Sequence, residues 1–461
     1  MVNLISPSAT SLPASSPLLT LQQEFAIIDL SGEIRVINRK QVHQLLYGTG
    51  IGELAFYKKA DAAIVMRRHL ENQPFQCNPR QTIEDFWSSP ATVMYDATAF
   101  TPETTSATTL NFWVGPAPVA APGNWVLVRD FLCDIICAGD MSSFDYLIRF
   151  MAHMVQKPEE KPGIMITLLG GQGTGKGVYF SLLRALWPRT TLQVSDIENV
   201  TGRFNACLER NFIICMDEAL FAGDRKAMDR LKSISTESVL QIEQKYQPTR
   251  SIHSVHRLFA SSNHSHFGNV EMDDRRFVFL QVSNLKQQDT SYFGVLVAAI
   301  NDPATMGALL YYLQRKNLKG FDVRKKPNTR EHLSQKLKSL QGVDRYWYEV
   351  LVTGHLNGTG EVVGLFQTKK DIEWSGPVFV PTYSLVQMYR DFNRAAQKHQ
   401  TVQAAEVTSC IQRLSPSAQM SRQTWTAPGS NNGSQKRGLN LPDLATARTD
   451  FERVVGGSVQ W

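Results

Sequence analysis

Eight consecutive residues have the types and order to hold a triphosphate: Gly170, Gly171, Gln172, Gly173, Thr174, Gly175, Lys176 and Gly177. They close an apolar run that starts at Ile164. Gly170, four residues, then Gly175-Lys176 is the spacing of a phosphate-binding P-loop up to its last position. Glycine leaves no Cβ between successive backbone N–H groups and the phosphate oxygens. The spacing predicts a helix from about Val178 to Leu186, whose N-terminus adds a positive dipole end behind the loop. Lys176 then neutralises the β- and γ-phosphates of ATP. The loop departs from the motif at Gly177, where a Ser or Thr hydroxyl ordinarily ligates Mg²⁺. Here the metal must rely on water and a distant carboxylate.

Asn211–Met216 reads as an apolar strand ending in Asp217 and Glu218. Placed beside the P-loop strand, it lets Asp217 hold Mg²⁺ through water and Glu218 polarise the attacking water as general base. His256–Asn263 predicts a further strand with Asn263 at its end, suited either to orient that water or to cap a helix. Arg275 and Arg276 lead into another apolar strand. One of them can reach the γ-phosphate of a neighbouring subunit, and the other can pair with Asp273, Asp274 or its own subunit's nucleotide. A salt-bridged structural cluster is the alternative. Val239–Val255 reads as strand, turn, strand around Gln247-Pro248-Thr249, with Lys245, Arg250 and His253 flanking the turn. A basic hairpin of this kind can grip a nucleic-acid backbone inside a ring; an ordinary surface hairpin has the same pattern.

The elements that must position these residues belong to a chain of 461 residues, enough for about three domains. Hydrophobic residues make up 43% and aromatic residues 10%, which supplies an ordinary globular core. The net charge of +6 permits a nucleic-acid partner without requiring one. Six cysteines are scattered without a Cys-x-x-Cys pair, so neither a zinc ribbon nor a disulfide framework is indicated. Cys133 and Cys137, one helical turn apart, read as two buried apolar residues. The N-terminus lacks a basic segment followed by an apolar core, so no secretion signal is predicted, and Asn301, Asp302 and Pro303 interrupt one of the longest apolar stretches, so no membrane span is predicted. These features place the chain in a cytoplasm.

The expected organisation is α/β. A flexible leader (1–21) precedes a mixed α/β N-terminal region (22–124) with a hairpin over Phe25–Ile37 and a short strand at Asn111-Phe112-Trp113. A helical segment (125–160) follows, then the nucleotide-binding region (161–318). Nine Lys or Arg residues between Arg315 and Lys338 mark a solvated basic connector (319–380). The last part (381–461) is expected to fold as helices Tyr383–Gln397 and Gln403–Leu414 with a polar loop, Ser421–Gly438, a winged-helix-like pattern.

Taken together, these motifs resemble the superfamily 3 helicases of the AAA+ class, above all the phage, plasmid and poxvirus-type primase-helicases. Gly170–Gly177 corresponds to Walker A, Ile213–Glu218 to Walker B, the Lys245 hairpin to the DNA-binding hairpin, Arg257–Asn263 to motif C, and Arg275-Arg276 to the arginine motif. Asn111-Phe112-Trp113-x-Gly115, Gln156-Lys157-Pro158 and Thr201-Gly202-Arg203-Phe204-Asn205 look like the phage branch, where the Gly-Lys-Gly ending is familiar. The resemblance implies a homo-hexameric AAA+ ring that uses ATP and Mg²⁺ to move on single-stranded or forked DNA in a bacterial host cell. It also implies a separate primase or polymerase, because the first ~110 residues hold no paired catalytic aspartates and no metal-ligand spacing. Two other readings remain. A nucleotide kinase shares the Gly-Lys-Gly ending, and a nucleotide-gated DNA-binding or origin-recognition protein shares the loop and the hairpin.

Overall fold

The first described element begins at Ser16, whose hydroxyl accepts from the Leu19 N–H and caps helix α1 (Pro17–Glu24). Pro17 suits the first helical turn and Leu21 is fully buried, so a helix takes up the last five residues (17–21) of the stretch that composition assigns to a leader; residues 1–15 lie outside the described residues. The computed structural model describes residues 16–461 except 31, 49–53, 219–224, 244–248, 265–266, 269–270, 272–273, 328, 360–368, 373, 396–401 and 427–432. The chain divides into two units, residues 1–267 with 275–327, and residues 268–274 with 328–461.

In the first unit, β1 (Phe25–Leu30) and β2 (Glu33–Asn38) pair antiparallel as the expected hairpin. Three helices, Arg39–Tyr47, Lys59–Glu71 and Pro79–Ser88, follow it. The segment read as one helical stretch over 125–160 is split. A helix over Val126–Asp130 continues as a π-helical turn (Phe131–Ile136) and stops at Ala138 and Gly139, both left-handed. Asp140 then caps α2 (Met141–Gln156) by accepting from the N–H groups of Ser142 and Ser143.

Five strands make a wholly parallel sheet: β3 (Met165–Leu169), β4 (Thr191–Val194), β5 (Ile213–Met216), then, after the separate hairpin strands β6 (Val239–Ile242) and β7 (Arg250–His253), β8 (Arg257–Ser262) and β9 (Phe277–Gln281). Their order across the sheet is β9-β3-β8-β5-β4. Every residue of β3, β5 and β8 is buried, as expected of parallel strands covered on both faces. The expectation that the acid-bearing strand lies beside the P-loop strand is corrected here, because β8 pairs with both and separates them. Helices α3 (Lys176–Leu186), α4 (Arg225–Thr236), α5 (Thr290–Asn301) and α6 (Pro303–Arg315) complete this unit.

One apolar core runs from the N-terminal hairpin through α2, the sheet and α6. The Asn111-Phe112-Trp113 stretch explains part of that continuity. Trp113 packs edge-on against Phe212, the residue before β5, with ring centres 4.9 Å apart. The Asn111 side chain holds the turn beneath by bonding to the backbone of Thr101 and Trp113.

In the second unit, α7 (Arg330–Lys338) and α8 (Gly342–Thr353) occupy the stretch expected as a connector. The periodicity of Leu340, Val343, Trp347, Val350 and Leu351 buries them in a core of their own, and the charges ride outside. Strand β10 (Val378–Pro381), helices α9 (Thr382–Ala395) and α10 (Ala404–Leu414), strands β11 (Gln419–Thr426) and β12 (Gly433–Leu441), and α11 (Leu444–Val455) finish the unit. The sheet order is β10-β12-β11, and β11 and β12 pair antiparallel as a hairpin over most of the polar Ser421–Gly438 stretch.

Candidate functional site

The P-loop residues leave β3 at its C-terminal end, where parallel α/β sheets place their ligands. Gly173 (φ 75°) and Gly175 (φ 101°) are left-handed, and a Cβ on Gly175 would lie 2.8 Å from the Phe293 ring. The tight winding needs glycine at both. Thr174 donates from its hydroxyl to the Gly171 carbonyl, closing the loop at 2.9 Å. Gln287 and Gln288, which the sequence reading missed, brace it from outside through the carbonyls of Gln172 and Gly173. Gly177 faces open space, so the missing hydroxyl is not forced by crowding.

Lys176 is folded back at the head of α3. Its ammonium donates to the Gly170 and Gly171 carbonyls, both at 2.7 Å, and to Asn263 Oδ1 at 2.8 Å. Asn263 in turn donates from Nδ2 to Glu218 Oε1 at 3.2 Å. A cation, an amide and a carboxylate from the segments that follow β3, β8 and β5 thus form one hydrogen-bonded line at the end of the sheet. Burial lowers the Lys176 pKa, against the pull of Asp217 and Glu218, which favour its charge.

Asp217 is fixed on both oxygens. Oδ1 accepts from the Ser261 hydroxyl at 2.6 Å, and Oδ2 accepts from Gln193 Nε2 at 2.9 Å. Ser261 and Gln193 carry no signal in a single sequence. They hold the carboxylate only because β8 and β4 flank β5. Glu218 has a left-handed backbone (φ 53°), a sparsely populated conformation for a residue with a side chain, and its N–H donates to Asp217 Oδ1 at 3.1 Å. The glycine cradle, the folded-back ammonium and the anchored acid fit a nucleotide phosphate with a water-coordinated cation.

The remaining candidates lie elsewhere. The Arg276 carbonyl accepts from the Met165 N–H at 2.7 Å, which puts Arg275 and Arg276 at the start of β9, beside the start of β3. About 13 Å of strand separates that point from the P-loop of the same chain. The pair therefore lies at the opposite end of the strand from the P-loop of its own chain. Arg275 is exposed and Arg276 partly buried, while Asp273 lies outside the described residues.

The expected hairpin is present as antiparallel β6 and β7. Lys245 lies outside the described residues, as does the side chain of Arg250; His253 is exposed. Buried Asn205, from the Thr201–Asn205 stretch, pins the hairpin strand by donating to the Gln241 carbonyl (3.0 Å) and accepting from the Glu243 N–H (2.9 Å). A cavity of about 1060 Å³ between the N-terminal strands and Ser251–His253 includes none of the P-loop residues. Among the described residues no group of three or more His, Cys, Asp or Glu side chains could hold a metal ion, and no single helix is long and apolar enough to cross a membrane.

Comparison with known proteins places this site in context. Residues 168–276, from the P-loop strand to the arginine pair, match the model of a family of unknown function, DUF5906. The DNA primase-polymerase of Nitratiruptor phage NrS-1 is 28% identical over 155 residues, 32% of this chain. The matched part spans 21% of that curated relative. Two apo structures of the NrS-1 C-terminal region share the fold. One covers 92% of this chain and 99% of its own at 17% identity and TM-score 0.59. The other covers 93% and 100% at 16% identity and TM-score 0.61.

Proposed function

We propose that this chain is an ATP-driven, ring-forming DNA helicase or translocase acting in the replication of a phage or related mobile element. The observation that carries the reading is the line Lys176–Asn263–Glu218, built where β8 lies between β3 and β5. It joins the group that neutralises phosphate charge to the group that activates water through an amide that can orient that water. A nucleotide kinase needs no such line.

When bound, ATP with Mg²⁺ supplies the anhydride bond whose cleavage drives movement. Asp217, already oriented by Ser261 and Gln193, would hold the cation. Glu218 accepts the proton of the attacking water, and Lys176 leaves its carbonyl partners for the phosphates. Arg275 and Arg276 are too far from their own loop, which favours action on a neighbouring subunit in a homo-hexamer. Lys245, Arg250 and His253 would contact single-stranded or forked DNA. The second unit, with its helices and β11–β12 hairpin, is proposed as a winged-helix-like module. The similarity to a phage primase-polymerase supports a replication setting in a bacterial host cytoplasm, and a separate primase or polymerase is proposed as a partner.

The test is ATP hydrolysis with and without single-stranded DNA, together with separation of a forked duplex. DNA-stimulated hydrolysis with strand separation is expected. Hydrolysis without strand separation favours a nucleotide-gated DNA-binding protein, and phosphate transfer to a nucleoside monophosphate favours a kinase.

A further inference from the structure

At the end of the sheet away from the P-loop, Lys161 sits four residues ahead of β3 and is partly buried. Its ammonium donates to the Ile234 carbonyl at 2.6 Å, to the Glu237 carbonyl, and to the Ser254 hydroxyl. All three of its protons are thereby used, and no carboxylate is among the partners. Ile234 lies in the last turn of α4 and Glu237 directly follows it, where the helix's last carbonyls need outside donors. Ser254 follows β7 and closes the hairpin, its N–H donating to the Ser238 carbonyl at 2.8 Å.

The chain of donors continues. Leu208 has only a carbonyl to offer His256 Nε2 (2.8 Å), so Nε2 carries the ring proton. His256 Nδ1 then accepts from the Ser254 hydroxyl at 2.7 Å, and that hydroxyl's lone pair is what Lys161 meets. A second clamp lies alongside. Fully buried Arg257 donates to the carbonyls of Val255, Lys157, Pro158 and Glu160, holding the loop that carries Lys161. This gives the Gln156-Lys157-Pro158 stretch a physical role. Left-handed Gly163 brings the same loop past the end of α4, with Thr236 Cγ2 3.9 Å from where a Cβ would stand.

Helix α4 follows Glu218 after a short undescribed segment and runs 12 residues, about 18 Å, to this corner. We propose that Lys161 is a positioning residue that couples the nucleotide site to the β6–β7 hairpin: it pins the corner between α4 and the hairpin to the loop entering the P-loop strand. With the corner pinned, a displacement of α4 at the Glu218 end turns the hairpin about Lys161. Without the pin, the corner slides and the displacement is lost. Burial, with Arg257 nearby, pulls the Lys161 pKa down to about 7 against the favourable charge of Glu237. The inference rests on the proposed function for its consequence, since the hairpin is the element assigned to DNA.

The test is hydrogen exchange of residues 239–255 in the full chain with and without a non-hydrolysable ATP analogue, alongside strand separation. In the unaltered protein the analogue should change hairpin exchange. Lys161→Met should bind the analogue and keep basal hydrolysis near normal, yet lose that change and separate strands less efficiently per ATP. The loss should be roughly two- to thirtyfold, the range over which residues between two sites alter their coupling. Lys161→Arg should recover part of both. A Lys161→Met protein whose hairpin responds to the analogue like the unaltered chain overturns the inference. A nucleotide-dependent hairpin response without any strand separation overturns the helicase reading and leaves the coupling standing.

Discussion

The two ends of the parallel sheet hold polar side chains under opposite rules. At the P-loop end, side-chain bonds join Lys176 to Asn263, Asn263 to Glu218, and Asp217 to Ser261 and Gln193, with Lys176 also on two P-loop carbonyls. At the other end, Lys161, Arg257 and His256 bond almost wholly to backbone carbonyls and a hydroxyl. Side chains that partner side chains can exchange those partners for a ligand at modest cost. Fully buried Arg257 cannot leave its four carbonyls without stranding them, whereas the Gly170 and Gly171 carbonyls that Lys176 holds lie on a partly exposed loop. The first arrangement suits chemistry and the second suits holding elements in register.

The sharpest way to break this contrast is Lys176→Ala. It should lower ATP hydrolysis by roughly 10³-fold, since the phosphates lose their fixed cation. Near-normal steady-state hydrolysis would show that the loop is not the catalytic end. Glu218→Gln should cost roughly 10²-fold in turnover while nucleotide binding survives, because only water activation is removed. Retained turnover would place the base elsewhere. Asp217→Asn should raise the Mg²⁺ needed for half-maximal hydrolysis by about ten- to hundredfold, given that Gly177 offers the cation nothing. An unchanged Mg²⁺ titration sinks that assignment.

The far end is tested by stability instead. Arg257→Met should destabilise the first unit by about 3 kcal/mol in denaturant unfolding, through the carbonyls it leaves buried and unpaired. A more stable variant would mean that the cost of burying the cation dominates. The smallest effect is on pH. Burial lowers the pKa of His256 to about 4, and burial with the Arg257 charge does the same for His153. Both are held neutral when folded and titrate near their ordinary value when unfolded. Their contribution is therefore fully present above pH ~6.5 and is lost as pH falls from there toward 4. His256→Gln should make the fall in unfolding midpoint across this window shallower; an unchanged slope would remove His256 from the balance.

Local pattern made much of the site legible. Glycine spacing, an apolar run ending in two acids, a strand ending in Asn263 and a turn between two short strands are all read along the chain, because period and punctuation are local properties. The connector was misread for a related reason. Its Lys and Arg residues dominate composition, and only the core of the second unit reveals which face of α7 and α8 turns inward.

What the sequence determined by itself was which residues are candidates for chemistry and, for the described ones, which element bears or precedes each of them. Tertiary structure alone decided that β8 lies between β3 and β5, that Asn263 therefore joins Lys176 to Glu218, that Ser261 and Gln193 fix Asp217, and that Lys161 and Arg257 bind the opposite end. The reason is physical. Strand order and bonds between residues 24 to 100 positions apart depend on which buried faces meet, and parallel strands reached through long crossovers leave no trace of that choice in local spacing.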